Sequence, residues 1–376
     1  MRASDIAEAV WERESVAARV TRALLAPLAW AFGVVVARRN ARYDSVVIAS
    51  SGLPALSVGN LTVGGTGKTP FAAWCVQQLR MRGAHPAIVM RGVGDDEWRV
   101  HGVLNSGIPV IVSPDRGVGL VVARTRGADC AVLDDAFQHR RAARVADVVL
   151  LSADRWTGAA RLLPAGPFRE PLASLRRADV VVITVKAASA TQVDDVMAAV
   201  RTAAPGVAQA VVRLTPGPLT LAVTLVRSNA GPTSPSMALQ ATRATVPGVP
   251  PRDAFTHAPE WLAHREICVV SAIGDPAAFE AQIRGLGAVV RQVWRFTDHH
   301  LFSAADAQRI ATAAVGSSGV VCTLKDAVKL ASCWPREAPP LWYLSQSVVV
   351  ERGAEAMDRA LARLLAARAA TSPTAG

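Results

Sequence analysis

The chain has 376 residues, of which 51% are hydrophobic, and a formal net charge of +11. That much apolar material supports a globular protein with one large core or two smaller ones. The positive balance favours polyanions such as an anionic membrane surface or phosphorylated substrates, and without a dense Lys/Arg tract interleaved with aromatics no nucleic-acid partner is expected.

The first residues are acidic (Asp5, Glu8, Glu12, Glu14), unlike the basic start of an export signal. An uncharged stretch, Ala23 to Ala37, follows between Arg19, Arg22 and Arg38, Arg39, Arg42. It is shorter than the roughly 20 residues of a membrane span and contains Pro27. With Trp30 and its arginine flanks it is expected to lie in the headgroup region of an anionic leaflet, the alternative being a core helix with arginine ends.

Apolar runs then alternate with helix-like stretches: Leu53 to Val58, Ala87 to Met90, Pro109 to Val112, Cys130 to Leu133, Asp147 to Leu151 and Asp179 to Thr184. Continuous apolar strands between helices indicate a parallel sheet covered on both faces, the α/β, doubly wound class. Pro232, Pro235, Pro247, Pro250 and Pro251 mark a linker. A second, smaller α/β series begins near Ile267, and Ser303 with Asp306 starts one of its helices as a capping box. The expected organisation is a membrane-associating segment at 1–45, a P-loop domain at 46–226, a linker or insertion at 227–260 and a C-terminal α/β domain at 261–376. The five cysteines, Cys75, Cys130, Cys268, Cys322 and Cys333, form no C-x-x-C pair, so a reducing compartment and structural roles are expected.

Three segments carry chemistry. Ser57 to Pro70 reads SVGNLTVGGTGKTP, a glycine-rich loop between an apolar strand and a helix. Gly64, Gly65, Thr66 and Gly67 let backbone N–H groups converge on phosphates, Lys68 reaches the β- and γ-phosphates, and the Thr69 hydroxyl suits Mg²⁺. Thr62 stands where a strict Walker A motif has glycine. Asp134 and Asp135 end an apolar strand, where doubly wound sheets present ligand-binding groups, so Asp134 suits a magnesium-holding role and Gln138 lies close behind. In Leu163 to Pro171, Arg169 is a candidate phosphate clamp and Glu170 a candidate acceptor from base or sugar, a surface ion pair being the other reading. Asp298, His299 and His300 follow a strand, and one histidine in proton transfer is preferred to a metal pair because adjacent strand residues point to opposite faces.

Taken in order, the apolar N-terminal segment, GNLTVGGTGKTP, RGVG, DDAFQHRR, LLPAGPFREP, FTDHH and TLKDAVKL resemble the tetraacyldisaccharide 4′-kinase family from about residue 20 to 345. The resemblance implies two P-loop-like α/β domains with the active site between them. It also implies ATP and Mg²⁺ as cofactors, a lipid A disaccharide precursor as acceptor, and a place on the cytoplasmic face of the inner membrane, peripheral or monotopic. The nucleotide site would comprise Gly64, Gly65, Thr66, Gly67, Lys68, Thr69, Arg169 and Glu170, and the metal site Thr69, Asp134, Asp135 and Gln138. The base would be Asp96, with Asp95 as fallback, supported by His299. The chain departs from the family pattern at Val93, Ala136, Thr297 and Leu324, and residues 92–98 fuse two family motifs into a shortened loop. The alternatives are a nucleotide- and membrane-binding paralogue without transferase activity, favoured by that loop, and another P-loop small-molecule kinase.

Overall fold

The computed structural model describes residues 10–11, 15–46, 48, 51–92, 96–226 and 255–371. The chain forms two compact units that are not contiguous in sequence. Unit 1 takes residues 1–92, 105–214 and 348–376, and unit 2 takes 93–104 and 215–347. These differ from the contiguous spans expected, because a short segment after residue 92 packs with the C-terminal half and the last helix packs with the N-terminal half. Most of the expected linker lies outside the described residues.

In unit 1 the strands are β1 (Ala55–Asn60), β2 (Pro86–Met90), β3 (Val110–Val112), β4 (Cys130–Asp134), β5 (Ala146–Ser152), β6 (Val180–Val185) and the first half of β7 (Ala208–Leu221). They lie in the order β3-β2-β4-β1-β5-β6-β7, all parallel. Alternation along each strand fills both faces. Leu56 and Val58 of β1 join Phe71, Val76 and Leu79 of the helix Lys68–Met81 in one core, while Ala55 packs with Leu120 and Ala123 of the helix Arg116–Thr125 in another. The helix Ala354–Thr371 closes the first of these cores through Met357, Leu361 and Leu364. Strand β1 lies between β4 and β5; the chain leaves it past β4 to β2 and β3, then returns through β4 and crosses β1 to β5, so the crevice at the C-terminal ends of β1 and β4 is the switch point where such sheets bind ligands.

In unit 2, β9 (Glu266–Ser271), β10 (Val289–Arg295), β11 (Val320–Thr323) and the start of β12 (Leu341–Arg352) run parallel in the order β10-β9-β11-β12. The second half of β7 follows β12, and β8 (Thr256–His257) pairs antiparallel with β7. Cys268 and Val270 of β9 face the helices Ala304–Ala313 and Leu324–Leu330, whereas Ile267 and Val269 face Phe279 and Ile283 of the helix Pro276–Gly285. Ser303 and Asp306 form the expected capping box.

The sequence reading placed no strand at β7, which contains Pro216, Gly217 and Pro218. Both prolines fall between the last β6 partner, Arg213, and the first β8 partner, Leu219. There a missing N–H breaks no ladder bond to β6 or β8. Gly217 is required by close approach: a Cβ would come within 2.6 Å of Ser345 Oγ on β12.

The apolar N-terminal stretch belongs to a helix, Val16–Asp44, that continues through Pro27 for 29 residues. By length and composition it is sufficient to cross a membrane, which corrects the expectation of a segment too short to do so. Leu24, Leu28 and Trp30 are 60% exposed or more, unlike residues of a core helix.

Candidate active site

In unit 1, β1 delivers the glycine-rich loop and the adjacent β4 delivers the acidic pair, with Val58 opposite Asp134 in the parallel register. Gly64 and Gly67 have φ of 98° and 81°, left-handed values open to glycine at little cost. Gly67 caps the helix Lys68–Met81, and Pro70 sits in its first turn, where no intrahelical donor is lost. The first-turn N–H groups and the helix dipole make this end an anion site.

Around the loop, hydrogen bonds fix each element. The Asn60 amide donates to Thr62 O at 2.8 Å and to Thr66 Oγ1 at 3.0 Å, and Thr184 Oγ1 donates to Thr66 O. Val63 N donates to Pro167 O, and Arg169 N to Leu61 O at 2.7 Å, fastening the proline-rich loop beside the glycine-rich one. Arg169 then reaches Asp135 at 3.3 Å, and the Lys68 ammonium lies 3.7 Å from the same carboxylate. Burial alone would raise the Asp135 carboxyl, but Lys68, Arg169 and Arg116 outweigh it and hold it below the ordinary range. Asp134 is buried at the end of β4. Gln138 Nε2 donates to Asn60 O at 2.8 Å, while its buried Oε1 has no hydrogen-bond partner among the described residues.

Thus Lys68, Asp135 and Arg169 come together, with Thr66 and Gln138 attached through Asn60. Glu170 does not join them. Its side chain is 1% exposed and bonded to Arg177 at 2.6 Å and to Asn40 Nδ2 at 2.9 Å, so its carboxylate ties the N-terminal helix to this loop. The sequence reading missed this anchor. The motif offered no signal that Asn40 and Arg177 would converge on it. Arg140 adds to the tie by donating to Asn40 O and Asp44.

In unit 2, Asp96 precedes the helix Glu97–Leu104, which packs beside the helix Leu324–Leu330. Its carboxylate, 3% exposed, lies 3.3 Å from His299 Nδ1, and His299 is 45% exposed. His299 itself has φ of 61°, a left-handed turn after β10 that aims the ring back. Lys325 Nζ sits 3.0 Å from His299 Nε2 and 3.1 Å from Asp298. An ammonium only donates, so Nε2 accepts and the neutral ring carries its proton on Nδ1, facing Asp96. Asp95 lies outside the described residues. His300 is used differently, stacked on Phe296 and paired with Asp306. Among the described residues no group of three or more His, Cys, Asp or Glu could hold a metal ion by itself.

Two departures from the family pattern are absorbed by packing, since Ala136 and Leu324 are both buried in apolar cores. The chain matches the sequence model of the tetraacyldisaccharide-1-P 4′-kinase family over residues 21–104 and 93–366. It is 32% identical to the tetraacyldisaccharide 4′-kinase of Halorhodospira halophila, with 92% of each chain covered, and 33% identical to that of Anaeromyxobacter sp. strain K, with 96% of each covered. A crystal structure of LpxK from Aquifex aeolicus in complex with ATP superposes with a TM-score of 0.66 at 24% identity, covering 92% of this chain and 99% of that one. That likeness establishes the fold.

Proposed function

We propose a reaction on the premise that this chain belongs to the tetraacyldisaccharide-1-P 4′-kinase family: it uses ATP to phosphorylate the 4′-hydroxyl of a tetraacyldisaccharide 1-phosphate. The observation that carries the reading is the Asp96–His299 contact, formed in spite of the shortened loop at 92–98. A scaffold that only bound nucleotide would have no use for it.

Phosphoryl transfer requires positioning, charge neutralisation and removal of the hydroxyl proton. The backbone N–H groups of residues 64–69 would take the phosphates of ATP, with Lys68 and Arg169 supplying positive charge. Both cations face the Asp135 carboxylate, so they are already directed at an anion. Thr69, Asp134, Asp135 and Gln138 offer the oxygen donors that suit Mg²⁺, which prefers one or two carboxylates together with phosphate oxygens and waters. The orphaned Gln138 Oε1 fits that donor set. When bound, the ion would neutralise phosphate charge. Glu170 fixes the loop that carries Arg169 through Arg177 and Asn40.

Asp96 and His299 form the acid–base pair. Asp96 would take the proton of the acceptor hydroxyl, and His299, 3.3 Å away, orients and supports it. The N-terminal helix, with its exposed Leu24, Leu28 and Trp30 and its arginines, associates with the cytoplasmic face of the inner membrane, where the lipid acceptor resides. Mass spectrometry of the disaccharide 1-phosphate lipid after incubation with ATP and the protein tests the reading. The expected product gains one phosphate, and an unchanged lipid overturns it.

A further inference from the structure

The helix Leu324–Leu330 carries a lysine to which the chemistry above gives no role. Lys329 is 9% exposed, and its ammonium lies 3.6 Å from Asp96 Oδ2 and 3.8 Å from Asp326 Oδ1. No hydrogen bond from the described residues satisfies it. The face of Phe302 lies 5.7 Å away. An ammonium taken from water is costly to keep unless carboxylates compensate it, and here two do.

The two carboxylates are not equivalent. Asp326 has a local structural use: its Oδ2 accepts from Thr323 Oγ1 at 2.8 Å, where Thr323 caps the helix. Among the described residues Asp96 has none, since neither of its oxygens receives a hydrogen bond from them. Its orientation rests on two ion pairs converging on one oxygen, Lys329 from the buried side and His299 from the exposed side. The result is an alternating series, Asp326, Lys329, Asp96, His299, running from the interior to solvent. Lys325 and Asp298 lie on the outer side of His299, and His101 is buried on Asp96's own helix.

We propose that Lys329 is a positioning residue for proton transfer: its buried ammonium fixes the Asp96 carboxylate against His299. The inference rests on the proposed role of the Asp96–His299 pair. Without the ammonium the buried carboxylate loses the cation that holds and compensates it, and the pH dependence of turnover should change with it.

The experiment is the pH profile of kcat for the full chain, with ATP and the disaccharide 1-phosphate lipid, in wild type, Lys329→Met and Lys329→Arg. Wild-type turnover tests the kinase reading independently: if no phosphate is transferred, that reading fails and the variants are not needed to say so. With an active wild type, Lys329→Met should move the acid limb of kcat upwards by about one pH unit or more, with the KM for ATP within about twofold of wild type. Lys329→Arg, which keeps the charge, should restore the wild-type limb. A Lys329→Met enzyme that loses activity equally at every pH, or loses none, overturns the proposal. Should Lys329→Met fail to fold, Lys329→Gln, which retains a polar head in the same space, is read by the same criteria.

Discussion

Asp96 Oδ2 lies 3.3 Å from His299 Nδ1, and both residues belong to unit 2 although the chain between them passes through unit 1. The contact is therefore built inside one compact unit. Asp96→Asn and His299→Ala should each lower kcat by a similar large factor, and the double variant should be little worse than either, because residues acting as a unit are not additive. Steady-state kinetics of the three variants checks this, and losses that multiply would mean that the two side chains work separately.

Lys68→Ala should leave the protein folded and reduce kcat by about 10²-fold or more, the scale of losing one electrostatic contact to a transition state. Circular dichroism with turnover measurements separates loss of charge from loss of fold. Near-normal turnover would end the assignment of the glycine-rich loop.

Glu170 provides a contrast between anchoring and binding. Removing one partner of a buried ion pair costs about 3–5 kcal/mol, and Arg177 retains some access to solvent, so Glu170→Ala should lower unfolding stability by an amount near the lower end. Denaturant unfolding measures it. A variant with wild-type stability and a raised KM for ATP would return Glu170 to the nucleotide site.

The Asp306 carboxyl is lowered from 3.8 to about 2, first by the Ser303 backbone N–H, then by the Ser303 hydroxyl and by His300. A carboxyl that is more acidic folded than unfolded contributes stability that is complete above the unfolded value and lost as pH falls through the folded one. Asp306→Ala should therefore lower the melting temperature at neutral pH, through the loss of a helix-capping interaction worth about 1 kcal/mol. The difference from wild type should shrink between about pH 4 and pH 2. Melting curves over that range would show it, and a constant difference would exclude the carboxylate as its source.

Replacing Leu24, Leu28 and Trp30 together by serine should release the protein from anionic vesicles without unfolding it, since all three are exposed and supply the apolar term of binding. Added salt should weaken wild-type binding only partly, because the apolar term is not screened. Sedimentation with vesicles reads both effects, and a triple variant that still sediments places the anchor elsewhere.

The sequence by itself determined the class of fold and the phosphate-binding half of the site. Both depend on local order: apolar runs between helices, glycines before Lys68 and Thr69, and carboxylates where β4 ends. These are properties of neighbours along the chain, governed by periodicity and turn chemistry. The tertiary structure alone decided what depends on distant partners. Glu170, a ligand candidate by its motif, is held by Arg177 and Asn40, and Pro216 and Pro218 lie inside β7 between its pairings with β6 and β8. Lys329 looked like one more helix residue until the fold buried it between Asp96 and Asp326, where only the summed field of three segments gives its charge a purpose.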